Sequence, residues 1–246
     1  MEEVSHRAWQ ASTRHAFQKA ILDCLVNYRT GSWLENTITS RVLEALGTAD
    51  EVHWSGKPFR CAWKAFKASG PFETANGDIA MRVTLHTPDG RSLSGTKYFE
   101  AKKITPTSLR YEALDIEQLG RMQHTSGHEV LLYALATRPD KKSLTVEALC
   151  LPTAVAAMLQ TGDSRDLHPA TSSFVDVLSQ ALVGRGLNFD ESQLTAFEEK
   201  IAAIDASFVL EANLAIPQLD LSPPMAPPGY EEFGDREPDP SDDLVM

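Results

Sequence analysis

A chain of 246 residues, 42 % of them hydrophobic, is long enough to bury one sizeable core with additions, or two small ones. The opening MEEVSHRAWQ has no basic stretch leading into an apolar run, and nowhere do about 18 apolar residues follow one another. The expectation is a soluble, unexported, cytoplasmic protein with no membrane span. The net charge of −11 argues against a polyanionic partner until its distribution is considered. From Gln218 to Met246 there are eight acids against one base, and between Trp54 and Tyr111 ten bases against four acids. The tail is thus net −7 and the middle net +6, and a locally basic middle is compatible with nucleic acid.

In chain order, residues 5–28 have helical composition, with apolar residues at three- and four-residue intervals. A second helix follows Gly31 and Ser32, runs through WLENTITSRVLEAL and stops at Gly47. The texture then becomes strand-like in FRCAWKAFKAS, DIAMRVTL and TKYFEAKKI, which are expected as three neighbouring strands. SLRYEALDIEQLGRMQHT is helical by spacing, and EVLLYALA and LTVEALCL supply two further strands about the turn at Arg138–Lys142.

From Pro152 onward TAVAAMLQTG, TSSFVDVLSQALVG and ESQLTAFEEKIAAIDASF read as a helical appendage rather than more sheet. The Pro- and acid-rich run beyond Ile216 reads as disordered. The expected organisation is an N-terminal helix (1–30), a mixed α/β core (31–152), a helical extension (153–216) and an acidic tail (217–246).

Cys24, Cys61 and Cys150 form no C-x-x-C pair and sit among apolar residues, so they read as small buried hydrophobes. No Gly-rich phosphate loop, G-x-S-x-G or H-E-x-x-H is present, which argues against an NTPase or a serine hydrolase.

The stretch GTKYFEAKK carries the chemistry. Side chains on a strand alternate, so Glu100 and Lys102 share a face with Tyr98, while Phe99 and Ala101 point the other way. Asp78 stands at the entrance of the preceding strand, opposite the apolar alternation of Ile79, Met81, Val83 and Leu85. If these strands pair, an Asp, a Glu and a Lys converge. Two carboxylates and a backbone carbonyl then make the hard oxygen site that Mg²⁺ prefers. At 100° per residue, Val42 and Leu46 lie about 20° from Glu35 on either side, so Glu35 falls in the apolar stripe of its helix, whereas Glu44 falls opposite. A carboxylate on a buried face requires a partner or a cation.

A helix acid, an Asp on one strand and a Glu-x-Lys on the next resemble the PD-(D/E)XK nuclease superfamily, over roughly Ser32 to Pro152. The resemblance implies a restriction-endonuclease-like α/β fold with a mixed central sheet flanked by helices. It implies Asp78, Glu100 and the Ala101 carbonyl as ligands of Mg²⁺ or Mn²⁺, Lys102 as the catalytic lysine and Glu35 as the helix acid. Asn76-Gly77-Asp78 stands where the name has Pro-Asp. Gln118, one helix further on, is implied as a contact to the site or to a phosphate, although Met122 replaces the tyrosine of the Gln-x-x-x-Tyr pattern.

Two decoys fit the short motif. Glu198-Glu199-Lys200 lies in a helix where its side chains do not converge, and Pro139-Asp140-Lys141-Lys142 lies in a turn. Taken singly, Asp78 also reads as a turn residue, and Glu100 with Lys102 as an ion pair on a solvated face. His124 and His128 straddle a Ser-Gly loop and read as exposed loop residues or a histidine metal pair. Trp54 and Trp63 read as strand aromatics or as nucleotide-stacking platforms.

The expected function is a Mg²⁺-dependent nuclease hydrolysing phosphodiester bonds in DNA, with RNA as the other substrate class. By analogy it is an endonuclease of a restriction or anti-phage defence system, with a protein partner on the extension or tail. The alternative is an inactive subunit that keeps the fold and binds protein or nucleic acid.

Overall fold

The computed structural model describes residues 4–46, 51–54, 59–68, 78–108, 110–111, 128–137, 144–159, 170–204, 206–215 and 222–233. Helix α1 (His6–Val26) starts where the Ser5 hydroxyl accepts from the Ala8 amide, and it buries Trp9, Thr13, Phe17, Ile21 and Cys24. Those positions recur every three or four residues and form one face. Gly31, at φ 87°, turns the chain toward α2 (Glu35–Glu44), which buries Ile38, Thr39, Val42 and Leu43.

The strands are β1 (Val4–Ser5), β2 (Glu51–His53), β3 (Arg60–Ala68), β4 (Ile79–His86), β5 (Ser92–Thr105), β6 (Arg110–Tyr111), β7 (His128–Thr137), β8 (Leu144–Pro152), β9 (Ser172–Ser173), β10 (Phe208–Ala215) and β11 (Tyr230–Glu232). Three further helices, α3 (Thr153–Leu159), α4 (Phe174–Ala181) and α5 (Glu191–Ala202), match the expected helical runs after Pro152. The sheet runs β1-β2-β3-β10-β4-β5-β7-β8-β9, with β6 added to β5 and β11 to β3. It is mixed, since β10 runs parallel to β4 and β5 parallel to β7 while the other long pairings are antiparallel. The expected α/β class with a mixed central sheet flanked by helices is the observed one.

Three expectations are corrected. The strands of FRCAWKAFKAS and DIAMRVTL are not neighbours, because β10 lies between them and pairs over eight residues with each. Residues 208–215 are therefore not part of a helical appendage. Their segment, FVLEANLA, is buried at seven of eight positions, so it has no apolar–polar alternation to mark it as a strand. Its one buried acid, Glu211, is matched by Arg82 on β4 at 2.6 Å. In the segment SLRYEALDIEQLGRMQHT, Arg110 and Tyr111 form β6 rather than helix; residues 112–127 lie outside the described residues.

The third correction concerns residues 222–233 of the tail; residues 217–221 and 234–246 lie outside the described residues. Tyr230–Glu232 pairs antiparallel with the outer edge of β3, Tyr230 is 7 % exposed, and its hydroxyl donates to the Ala206 carbonyl at 3.0 Å. Two aromatics, Tyr230 and Phe233, outweigh the acidic and Pro-rich composition around them. Burying such a ring stabilises by about 2–3 kcal/mol. Deleting residues 217–246 should lower the melting temperature by roughly 5–10 °C; an unchanged thermal scan would show that β11 contributes nothing to the fold.

The sheet carries a core on each face. Phe208, Leu210, Ala212 and Leu214 of β10 join Phe17, Ile21, Ile38, Phe99 and Phe174 in the larger one under α1, α2 and α4. Val209 joins Phe66, Ala80, Tyr98, Phe197 and Tyr230 in the smaller one under α5 and β11. The three cysteines are buried and none is in a disulfide, and among the described residues no helix is long and apolar enough to cross a membrane.

Candidate metal centre

Asp78 is held from three sides. Its amide donates to the Phe99 carbonyl at 3.1 Å, its carbonyl accepts from the Phe208 amide at 2.8 Å, and its Oδ2 accepts from the Ala101 amide at 2.7 Å. The first bond begins the β4–β5 ladder, and the second ties the residue to β10. The alternation expected of β5 holds, with Phe99 and Ala101 in the larger core and Tyr98 in the smaller one. Glu100 is only 5 % exposed, and Lys102 Nζ lies 2.6 Å from its Oε1.

Glu35 reaches the same place from the first turn of α2, where the helix dipole favours an acid. Its Oε1 lies 3.4 Å from Lys102 Nζ. Two contacts hold this helix end over the strands. The Trp33 indole donates to the Ile104 carbonyl at 2.7 Å, and the Tyr133 hydroxyl donates to Thr39 Oγ1 at 2.8 Å, while Thr39 in turn donates to the Glu35 carbonyl at 2.9 Å. Glu44, expected to be solvated, is exposed and paired with Arg41 at 2.9 Å.

Glu35, Asp78 and Glu100 each offer one carboxylate oxygen, all within 4.8 Å of one another. Oxygens around an octahedral Mg²⁺ lie about 3 Å apart when adjacent and about 4 Å apart when opposite, given ligand distances of about 2.1 Å. The three acids are thus gathered on the scale of a single divalent ion. The electrostatics agree. Burial, with Glu100 and Glu35 adding repulsion, pushes the Asp78 carboxyl up to about 7, against the opposing pull of the Ala101 amide and Lys102. Burial alone would lower the Lys102 pKa, but Glu100, Glu35 and Asp78 outweigh it and raise the value, so Lys102 is an ammonium at neutral pH. Crowded acids with one cation among them form a site that gains by taking up further positive charge.

The four residues Glu35, Asp78, Glu100 and Lys102 are therefore brought together. Ala101 lies among them through its amide, and Gln118 lies outside the described residues, as do His124 and the Asp140 decoy. His128 is not an exposed loop residue. It opens β7, is 8 % exposed and packs its ring 4.6 Å from that of Tyr98, and burial lowers its pKa to about 3. Trp54 and Trp63 are 5 % exposed and Trp63 packs on Trp9, so neither offers a stacking surface. Glu198 and Glu199 lie exposed on α5, as expected of a decoy.

The supporting residues missed in the sequence are Trp33 and Phe208. Trp33 precedes a helix whose acid was legible, but its partner is 71 residues away; Phe208 acts through a backbone amide, which no side-chain pattern reveals. No family model, curated protein or solved structure matches this chain.

Proposed function

We propose that the chain is a Mg²⁺-dependent nuclease, with Mn²⁺ as an effective substitute, that hydrolyses phosphodiester bonds in DNA. The carrying observation is that a helix acid, a strand-entrance Asp and a Glu-x-Lys on the adjacent antiparallel strand converge in one buried cluster. This arrangement resembles the constellation of the PD-(D/E)XK superfamily.

In this reading Asp78 and Glu100 hold the cation. The Ala101 carbonyl joins them, because a strand residue directs its N–H and C=O to the same side and the Ala101 N–H faces Asp78. Glu35 closes the set from the helix. When bound, a divalent ion supplies Lewis acidity at a phosphoryl oxygen and activates water near neutral pH. Lys102 holds its proton between Glu100 and Glu35, so its part is that of a cation. It orients the attacking water through Nζ and offsets negative charge as the in-line displacement proceeds. A role in restriction or anti-phage defence follows by analogy alone.

The second reading, an inactive subunit of the same fold, draws on the tight Lys102–Glu100 pair, which partly neutralises the cluster without a metal. Divalent-ion titration separates the two. Mg²⁺ or Mn²⁺ should raise the melting temperature and support plasmid nicking; a protein indifferent to both ions is the binding subunit.

A further inference from the structure

The ten bases between Trp54 and Tyr111 made the middle of the chain basic, but several of them are paired with acids from elsewhere. Two of those acids belong to the tail. Glu232 lies 2.5 Å from Lys64, and Glu231 lies 3.6 Å from Lys67. Strand alternation puts these pairs on opposite faces of β3. Lys67 shares its face with Ala65 and Trp63 of the larger core, whereas Lys64 shares its face with Phe66 of the smaller one.

Lys67 also lines a cleft of about 370 Å³ between the outer face of α2 and the end of the sheet, together with Ser40, Arg41, Ser207, Phe208 and Glu44, the last paired with Arg41. None of the acid cluster's side chains lines this cleft, but the backbone links the two. Its helical wall begins one residue after Glu35, and its Phe208 donates to the Asp78 carbonyl. Lys67 is in register with Phe208, which is in register with Ile79, so it stands two strand spacings, about 10 Å, from the residue after Asp78. A phosphate held there would lie a few nucleotides from the cluster. The tail meets this same wall again. Phe233 stacks on Phe208 at 6.2 Å, and Lys67 Nζ sits 5.7 Å from the Phe233 ring.

We propose that the tail strand is a built-in competitor of nucleic acid: Glu231 occupies Lys67 as a phosphate would, Glu232 and Tyr230 clasp the strand in place, and DNA engages the cleft fully only when β11 leaves the edge of β3. This rests on the nuclease reading for its substrate and adds a means of restraint to it. β11 is suited to the task. It is a three-residue strand on an outer edge, its two ion pairs are partly exposed and screened by salt, and the cations it covers face both sides of that edge.

The test compares wild type with E231Q/E232Q, in which the isosteric amides keep the aromatics of the strand but remove the charges that hold it on Lys64 and Lys67, so that β11 leaves more readily. Binding of a labelled DNA duplex is followed by fluorescence anisotropy across a salt series in EDTA, so that neither cleavage nor metal enters. The variant should bind about tenfold tighter at low salt, with log K falling more steeply against log salt by about one for each lysine released. Lys67→Ala in the variant background should remove most of the gain. Equal affinity for wild type and variant overturns the proposal, as does a gain that Lys67→Ala leaves intact, which would mark a general charge effect. Mn²⁺ binding and plasmid nicking by wild type are measured separately. If those succeed while the anisotropy gain is missing, the nuclease reading stands and the competitor falls; if the gain appears without Mn²⁺ binding, the competitor stands on a protein that binds DNA and does not cut it.

Discussion

Replacing Glu100 with alanine is expected to abolish Mg²⁺-dependent plasmid nicking and to weaken Mn²⁺ binding at least tenfold, because the proposed nuclease then loses a buried hard oxygen ligand. The fold should survive, since the change removes a charge from a crowded cluster and leaves Lys102 the Glu35 carboxylate 3.4 Å away. Lys102→Ala should abolish nicking in the same assay yet fail differently. With the competing ammonium gone, divalent-ion binding at pH 8 should be unchanged or slightly tighter. Glu199→Ala, on the exposed face of α5, should alter neither quantity and serves as control. Cleavage by Glu100→Ala at the wild-type rate would place the chemistry elsewhere in the molecule.

The second large effect is on pH. The folded protein holds the Asp78 proton up to about pH 7, whereas an unfolded aspartate releases it near 4. A carboxyl whose folded value is raised contributes its stability at low pH and loses it as pH climbs from about 4 to about 7, because the native state binds the extra proton. Metal-free wild type should therefore melt at a lower temperature at pH 8 than at pH 6.5. Buried His128 pulls the other way, adding stability between about pH 3 and 6.5. Asp78→Asn retains that contribution and loses the carboxylate one, so the difference between the two proteins isolates Asp78. Mn²⁺ competes with the same proton. Its affinity should rise about tenfold per pH unit up to about 7 and level off above it. A pH-independent Mn²⁺ affinity between pH 5 and 8 would exclude Asp78 as a ligand.

The four side chains of the cluster were legible because each is marked by a short-range period. Glu100 and Lys102 are two apart on a strand, Asp78 breaks an apolar alternation at its entrance, and Glu35 falls on a helical stripe with Val42 and Leu46. What the sequence hid is non-local. β10 is buried on both faces and rich in Ala and Leu, so its period vanishes, and only the Arg82–Glu211 pairing explains its charge. The pairing of the basic middle was hidden in a related way, since Lys64, Lys67, Arg82 and Lys97 are answered by Glu232, Glu231, Glu211 and Glu129 from distant parts of the chain. Tail composition predicted disorder, yet composition cannot register that a single tyrosine finds a pocket beside Phe66 and Phe197.

The placement of β10 also sets an order of events. Asp78 is fixed partly by the Phe208 amide, so its correct posture waits on a strand 130 residues later in the chain. During synthesis at about 5–20 residues per second, the helix acid, the aspartate and the Glu-x-Lys are all made before the strand that completes their sheet. A nascent chain that has not reached Phe208 leaves the inner edges of β3 and β4 open, and closing this loop late is slow and exposes strand edges to wrong partners. The same delay has a protective side. An unfinished polypeptide carries all four side chains of the cluster without the strand that helps to align them, so in the proposed nuclease the capacity to cut would arise only once β10 is in place.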